Sequence, residues 1–211
     1  MNFDEALVAV ADYLSLDVAA LREYAAEDTL GGWTYLGYWP GGSIWEVEGR
    51  ILYAIIRGLQ PKSCFEAGTK FGCSASHILS ALKANKKGTL TSVDPGFDTD
   101  LTTEGYGSLI PEPLKKKWKF NFGQRAEDFL DADSTPFEFA YEDTDHTVPT
   151  TVAILSRLKA RESVKVIMSH DVCHPWAGYA IRDAWNEVFG NEWRPLCTEP
   201  SDCGLAIWRR P

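Results

Sequence analysis

The apolar and polar residues of this chain repeat with two different periods. In residues 3–26 and 45–59 apolar side chains recur at three- to four-residue spacing, which predicts one or two amphipathic helices in the first range and one in the second. From residue 63 to residue 170, apolar runs of strand length alternate with helical patterns, which gives five predicted strands. This alternation is typical of a parallel sheet covered by helices on both faces.

Two segments depart from the alternation. Residues 193–199 and 204–210 form two further apolar runs with only a short link between them, which favours an antiparallel pair at one edge of the sheet. Residues 29–45 contain five glycines and several aromatic side chains, and we expect a loop there. Such a loop either serves function or covers one end of the core.

Composition limits the classes of partner. The chain has 211 residues, 45% of them hydrophobic, so a single compact domain is expected. A formal net charge of -9 disfavours nucleic acid and anionic membranes as partners and leaves a small molecule as the expected one. We interpret the basic run at 114–119 as a solvated helix face. The sequence leaves homo-oligomer formation open.

The cysteines and the N-terminus indicate the cellular setting. Five cysteines are scattered without a CxxC pair, so neither a disulfide framework nor a zinc ribbon is indicated, and we expect a reduced, cytoplasmic protein. The first residues are acidic where a signal peptide is basic. No apolar run approaches the length of about 20 residues that a spanning helix needs.

A glycine-containing turn follows the first predicted strand, in the run CFEAGTKFGCSAS at 64–76. Gly68 and Gly72 permit a tight strand-to-helix turn and close approach of a ligand to the backbone, and we expect Ser74 to cap the following helix. The spacing is neither GxGxxG nor GxxxxGK[ST], which disfavours a dinucleotide or a nucleoside triphosphate. Glu66, just before the turn, suits a cationic ligand.

Polar residues also follow the second and third predicted strands. Asp94 stands where an acidic side chain can accept hydrogen bonds from both hydroxyls of a ribose, although Asp94-Pro95-Gly96 by itself is more often just a turn. Gln124 and Arg125 come after the third strand and are candidate neighbours of an adenine edge. Together with the glycine turn, these residues indicate a nucleoside site.

In this order the runs FEAGTKFGCSASHILSAL, TSVDP, GQRAED, FEFAYEDTDH and VIMSHDV resemble the class I S-adenosylmethionine-dependent methyltransferases. Within that class the chain is similar to the small-molecule O-methyltransferases related to catechol O-methyltransferase and to their sugar-modifying relatives, over roughly residues 45–208. The resemblance implies an α/β fold with a Rossmann-like, seven-stranded, mostly parallel sheet, an antiparallel last strand and helices on both faces. Residues 1–44 would then be a cap of N-terminal helices and loop, and 45–211 the S-adenosylmethionine-binding methyltransferase domain.

The resemblance also implies an activity and a cofactor site. The expected reaction is methyl transfer from S-adenosylmethionine to a hydroxyl of a small-molecule acceptor. The residues implied to line the cofactor are Glu66, Gly68, Gly72 and Ser74 at its methionine part, Asp94 at the ribose, Gln124 and Arg125 beside the adenine, and Asp143. Two alternatives are a Rossmann-type NAD-dependent oxidoreductase, against which the missing GxGxxG argues, and a non-catalytic cofactor-binding protein of the same fold.

Acidic and histidine side chains gather at the ends of the fourth and fifth predicted strands. Because parallel strands end at one edge of the sheet, we expect these residues to meet in the cleft: Asp143, Asp145, His146, His170 and Asp171. Methyl transfer from a sulfonium needs alignment and a deprotonated acceptor, so we predict His146 as general base, with Asp145 beside it as a catalytic residue. The alternative is that His170 and Asp171 have a structural role only: they cap the end of a strand and form hydrogen bonds with a loop.

A divalent metal is a second way to activate the acceptor. In metal-dependent members of the family, carboxylates at the ends of the fourth and fifth strands hold magnesium; Asp143 matches the first position, whereas the second holds His170, with Asp171 next to it. A metal on Asp143 and Asp171 therefore stays open, and a mixed Asp/His set favours a transition metal over Mg²⁺. His77 is expected to be structural, and Trp176, Tyr179 and the aromatics of 33–45 either line an acceptor pocket or belong to the core.

Overall fold

The computed structural model describes residues 1–28, 44–97, 102–175, 177–199, 201 and 203–211. Most of the predicted loop at 29–45 lies outside the described residues, and so does Trp176. Of that loop, Ile44 is buried and Trp45 is exposed. The interpretation of the loop as a functional segment or as a cover of the core therefore stays a prediction.

Three helices precede the sheet: α1 (Phe3–Leu14), α2 (Val18–Glu27) and α3 (Glu46–Leu59). Helix α1 begins with a capping box, in which the Asn2 side chain accepts from the Glu5 N–H and the Glu5 carboxylate accepts from the Asn2 N–H. The helices predicted over 3–26 and 45–59 are confirmed. Buried side chains of α1 and α2 belong to the same hydrophobic cluster as residues of the sheet. The predicted division at residue 45 stays a prediction.

The strands form one seven-stranded sheet in the order β3-β2-β1-β4-β5-β7-β6. They are β1 (Ser63–Ala67), β2 (Thr89–Asp94), β3 (Trp118–Phe122), β4 (Phe139–Glu142), β5 (Val166–His170), β6 (Arg194–Leu196) and β7 (Leu205–Arg209). Strand β7 is antiparallel to β5 and β6, and the pairs among β1 to β5 are parallel. The predicted fold class and edge pair are confirmed. Strand order reverses between β1 and β4, which is where open α/β sheets bind ligands.

Helices cover both faces of the sheet. They are α4 (Cys73–Ala84), α5 (Glu112–Lys115), α6 (Ala126–Ala132), α7 (Val148–Ala160) and α8 (Gly178–Phe189), with a short 3₁₀ helix at Thr103–Gly105. Alternate residues of β1 enter different cores, because successive strand side chains point to opposite faces. Cys64 packs with α1 to α5, whereas Phe65 packs with α6 to α8.

The basic run at 114–119 is not a single helix face, and that interpretation is wrong. Helix α5 ends at Lys115 and β3 begins at Trp118. Trp118 pairs with Leu90 of β2, stacks on Phe120 at 4.8 Å and donates its Nε1–H to Ser92 Oγ at 2.8 Å. The alternating aromatics of the strand, rather than the local lysines, decide the structure of this segment.

The expectation of reduced cysteines is wrong for two of them. Cys173 and Cys197 form a disulfide with a Cα–Cα distance of 5.9 Å across 24 residues of sequence. Cys64, Cys73 and Cys203 are free and buried. The sequence spacing gives no sign of the pair, because the two residues meet only when the β5–α8 loop packs beside the end of β6. Among the described residues, no helix is long and apolar enough to cross a bilayer.

Candidate active site

A cavity of about 360 Å³ lies at the carboxyl ends of β1, β2, β4 and β5. Its volume falls within the range of about 300–1,000 Å³ that is usual for small-molecule sites. Eight of the residues singled out in the sequence line it: Gly68, Ser74, Asp94, Arg125, Asp143, Asp145, His146 and Asp171. Glu66, Gly72 and Gln124 are not among the described residues of its wall.

The turn after β1 needs both of its glycines. Gly68 and Gly72 have φ of +82° and +85°, where side chains are strained. A Cβ on Gly68 would collide with the carbonyl oxygen of Asp143, and a Cβ on Gly72 would lie 2.6 Å from Ile110 Cγ1. Gly72 itself is the N-cap of α4, so the prediction that Ser74 caps this helix is wrong. Gly72 thus shapes the turn by close packing behind the cavity wall.

Glu66 lies behind the turn and is completely buried. Its carboxylate accepts hydrogen bonds from Ser74 Oγ at 2.7 Å, Ser92 Oγ at 2.6 Å and Thr69 Oγ1 at 3.2 Å. Burial raises the pKa of Glu66 to about 7, against the opposing effect of the three hydroxyl donors. Through these hydrogen bonds Glu66 connects β1 to β2 and to the start of α4. Any effect of Glu66 on a ligand in the cavity would therefore be exerted through these residues.

Asp94 ends β2 and holds the turn from the cavity side. Its Oδ2 accepts from the N–H groups of Thr69 at 2.8 Å and Lys70 at 3.0 Å, and its Oδ1 accepts from Gly96 N–H at 2.9 Å. Asp94-Pro95-Gly96 therefore does form the plain turn that its sequence indicates. A carboxylate offers about four acceptor positions, so Oδ1 retains capacity for a ligand in the cavity.

Arg125 lines the end of the cavity where Phe97 lies. The guanidinium pairs with Glu127 through Nε and Oε1 at 2.5 Å, and its central carbon lies 5.9 Å from the ring centroid of Phe97. Phe97 also lines the cavity and is 64% exposed. An apolar ring and a planar cation thus stand together at this end, in the neighbourhood predicted for an adenine.

The ends of β4 and β5 bring two carboxylates between two imidazoles. His146 Nε2 lies 3.1 Å from Asp143 Oδ1 and 3.0 Å from Asp171 Oδ2. On the other side, His170 Nδ1 lies 3.5 Å from Asp143 Oδ2 and 3.4 Å from Asp171 Oδ2. The predicted meeting of these four residues is therefore present in the structure. His146 and Asp171 both have left-handed backbone conformations, with φ of +55° and +60°, and such strain is common at functional sites.

The charges of this cluster bear on the role predicted for His146. Burial lowers the pKa of His146, but hydrogen bonds with Asp143 and Asp171 outweigh burial and raise the pKa to about 10. Burial raises the pKa of Asp171, but hydrogen bonds with His146 and His170 pull it well below its usual value. In this arrangement the raised pKa favours the protonated imidazole, and the role of His146 as general base stays a prediction.

Asp145 also lines the cavity, although its own hydrogen bonds belong to the start of α7. Its Oδ1 accepts from the N–H and Oγ1 of Thr147, both at 3.1 Å, and its Oδ2 accepts from Thr150 Oγ1 at 3.0 Å. This arrangement satisfies the first turn of the helix. A direct catalytic contact of Asp145 would have to compete with these bonds.

Solved structures similar to this one include several O-methyltransferases. TomG from Streptomyces achromogenes, an O-methyltransferase in complex with S-adenosylmethionine, is 18% identical, with 91% of this chain and 90% of that chain covered and a TM-score of 0.64. The O-methyltransferase from Bacillus cereus in complex with S-adenosylhomocysteine is 15% identical, with 96% of each chain covered and a TM-score of 0.63. CalS11, a TDP-rhamnose 3'-O-methyltransferase of calicheamicin biosynthesis, is 16% identical, with 76% of each chain covered and a TM-score of 0.58.

The chain has the Rossmann-like α/β fold that these methyltransferases share. No protein-family model matches the sequence, and the search of curated proteins found no match either.

Within this methyltransferase fold, the acid and histidine cluster fits a metal ion. Asp143, His146 and Asp171 each offer one ligand atom, and these atoms lie within 4.8 Å of one another. His170, Asp171 and Cys203 form a second such group, in which His170 and Cys203 are buried. Two carboxylate oxygens with one imidazole suit a transition metal better than Mg²⁺.

The other residues of the cavity wall have no role predicted from the sequence. They are small, apolar or charged residues that enter the wall through their place in the fold: Ile44, Thr69, Lys70, Cys73, Pro95, Phe97, Tyr106, Ala126, Glu127, Thr144, Thr150 and Ile154. Proximity to the motifs could have indicated Thr69, Lys70, Pro95 and Thr144. Tyr179, by contrast, is 72% exposed on α8 and is not among the described wall residues. His77 is buried, with Nδ1 2.6 Å from Asp28 Oδ2, which fits the structural role expected for it.

Proposed function

We propose that this protein is a S-adenosylmethionine-dependent methyltransferase that transfers a methyl group to a hydroxyl of a small molecule. One observation carries the proposal: the glycine turn, Asp94 and the cluster of Asp143, His146 and Asp171 line a single cavity at the point where strand order reverses. O-methyltransferases of the same fold bind S-adenosylmethionine or S-adenosylhomocysteine. The spacing of the turn and the acid-rich wall disfavour an NAD-dependent oxidoreductase.

In this proposal different residues of the cavity bind different parts of the cofactor. Asp94 binds the ribose hydroxyls through the remaining capacity of Oδ1, and Arg125 and Phe97 flank the adenine, with Gln124 further out. Gly68, Ser74 and Asp143 border the methionine part, where acidic groups attract the positively charged sulfonium and ammonium. Glu66 and Gly72 act from behind the wall, by keeping the turn in shape.

Bound S-adenosylmethionine supplies an activated methyl group whose leaving group is a neutral thioether. The protein then has to align an acceptor oxygen and remove its proton. In the metal-free protein the hydroxyl proton would leave to this cluster, in which Asp143 and Asp171 flank His146, the predicted general base. Transfer would break the C–S bond as the C–O bond forms, and the hydroxyl proton would pass to the cluster of Asp143, His146 and Asp171.

A divalent transition metal on Asp143, His146 and Asp171 is the alternative arrangement of the same cluster. Such an ion would lower the pKa of a bound hydroxyl and orient it. The positive ion would also compensate the two carboxylates and release the proton of His146. Both arrangements use the same residues, so a metal titration separates them.

The first experiment is calorimetric titration of the purified protein with S-adenosylmethionine and, separately, with NAD, each with and without Mn²⁺ or Mg²⁺. We expect micromolar binding of S-adenosylmethionine and none of NAD. Asp94→Asn keeps an oxygen for Thr69 and Lys70 but removes the acceptor at Oδ1, so it should weaken binding at least tenfold. Asp12→Ala, an exposed acid on α1, is the matched control. Failure of the wild-type protein to bind S-adenosylmethionine in every condition would overturn the proposal.

The proposed partner is a small-molecule acceptor, with no nucleic acid or membrane involved, and the proposed location is the cytoplasm. The Cys173–Cys197 disulfide argues against a strongly reducing compartment. Thiol titration of protein purified without reductant, after denaturation, decides this point. Five reactive thiols would favour the cytoplasm, and three would favour an oxidising location.

A further inference from the structure

Glu48 of α3 is a fully buried carboxylate whose two oxygens each accept two hydrogen bonds. Oε1 accepts from Ser201 Oγ and from Gly204 N–H, both at 2.6 Å. Oε2 accepts from Trp45 N–H at 3.1 Å and contacts His170 Nε2 at 2.9 Å. A helix, the end of β5 and the segment before β7 thus meet at one side chain.

The contact with His170 fixes the direction of that imidazole. Both oxygens of Glu48 already accept from backbone N–H groups, of Trp45 and Gly204, so we assign Nε2 of His170 as the donor in this contact. The ring is 2% exposed, and with Nε2 held from behind, its Nδ1 faces Asp143 and Asp171 at 3.4–3.5 Å. If the ring turned over about its χ2 axis, it would lose both sets of contacts.

The two carboxylates need such a holder. Asp143 follows β4 and Asp171 follows β5, so no backbone hydrogen-bond ladder fixes one side chain relative to the other. The carboxylate oxygens of Asp143 and Asp171 lie within 4.8 Å of each other, and like charges at that distance repel. The imidazoles of His146 and His170, on either side of the pair, offset this repulsion. His146 lies on a short loop with a left-handed backbone, whereas His170 belongs to a buried strand. The rigid side of the cluster is therefore the His170 side.

We propose that Glu48 is a positioning residue for the carboxylate pair Asp143 and Asp171, and that it acts through the His170 ring. The inference rests on the proposed function, which assigns the pair its task at the transfer site. Glu48 does not touch the cavity itself, since it is not among the described residues of the wall. Its effect on chemistry is exerted by the orientation of the ring and, through the ring, of the two carboxylates.

The test compares three variants. Glu48→Leu removes both acceptor oxygens and keeps a side chain of similar size. Glu48→Gln keeps one oxygen and replaces the leucine variant if that variant does not fold. The control Ser201→Ala removes one hydrogen bond to Glu48 and leaves the contact with His170 in place. The first readout is the long-range ¹H–¹⁵N spectrum of the imidazoles, which reports which ring nitrogen carries a proton; the chain has only four histidines. The second readout is the affinity for Mn²⁺, measured by calorimetry.

We expect both Glu48 variants to shift the His170 nitrogens and to weaken Mn²⁺ binding by about 10- to 100-fold, the range found for residues that orient metal ligands. Ser201→Ala should leave both readouts within threefold of wild type. Unchanged His170 signals in the Glu48 variants, or equal changes in Ser201→Ala, would overturn the inference and leave Glu48 a structural residue.

If the wild-type protein binds no Mn²⁺, the imidazole spectra decide alone. Binding of S-adenosylmethionine by the wild-type protein is measured in parallel. If S-adenosylmethionine does not bind, the proposed function is refuted. The imidazole spectra still test the positioning role of Glu48 in that case.

Discussion

Replacing Glu66 by glutamine should change how the stability of this protein depends on pH. The folded state keeps the proton of Glu66 up to a pH of about 7, whereas the pKa of an unperturbed glutamate is 4.5. Between these pH values the folded state binds more protons than the unfolded state, so the stability that Glu66 contributes falls as pH rises. Glutamine does not titrate, and its amide can bond the hydroxyls of Ser74, Ser92 and Thr69, which both donate and accept.

The magnitude follows from the span of pH over which the two states differ. Each unit of pKa corresponds to about 1.4 kcal/mol, so the part of the difference that lies between pH 5.5 and pH 8 amounts to about 2 kcal/mol. Below pH 4.5, where the carboxyl is protonated in both states, the wild type and Glu66→Gln should have nearly equal free energies of unfolding. From pH 5.5 to pH 8 the advantage of the variant over the wild type should grow by about 2 kcal/mol. Urea denaturation at four pH values, followed by circular dichroism, measures both curves.

A control variant shifts the effect in the opposite direction. Ser74→Ala removes one hydroxyl donor that opposes the rise in the pKa of Glu66, so the stability of that variant should fall more steeply with pH than the wild type. If Glu66→Gln instead loses stability equally at pH 5.5 and pH 8, the buried carboxylate is ionised at both values. The hydroxyl donors would then compensate fully for its burial, and the reasoning would be wrong.

Two further predictions concern the turn and the disulfide. Gly72→Ala should cost about 2–3 kcal/mol of stability, because backbone strain at φ +85° adds to the collision of the new Cβ with Ile110. The control Gly123→Ala has a similar φ of +77° but no atom within 4 Å of its Cβ, so it should cost only about 1 kcal/mol. Equal losses of stability in urea denaturation would contradict the packing argument. Cys173→Ser should lose about 3 kcal/mol, as expected for a loop of 24 residues, and reductant should lower the unfolding midpoint of the wild type but not of this variant.

Much of the fold follows from local patterns in the chain. Strand β1 and the glycines after it are recognisable because an apolar run and an obligatory turn are adjacent in sequence, and the short link before residue 204 already indicates the antiparallel edge. The segment at 114–119 was misjudged because its lysines are a local signal, whereas the pairing of Trp118 with β2 is not.

The candidate site divides in the same way. Asp94, Asp143, His146 and Asp171 could be found from sequence because each lies at the end of a predicted strand or just after it, and parallel strands bring such residues to one edge. Their protonation could not be found, because the pKa of His146 depends on distances of 3.0–3.1 Å to carboxylates from two different strands. Whether Glu66 touches a ligand or supports the turn from behind likewise depends on packing.

The sequence by itself determined the order of helices and strands, the turn that needs glycine and the residue types at the strand ends, since all of these depend on neighbours a few positions apart. Only the tertiary structure decided the partners of the buried polar groups. Glu48 and His170 are separated by 122 residues, and Cys173 and Cys197 lie on different segments. Contacts of this kind form when distant elements pack together, so no local period or spacing encodes them.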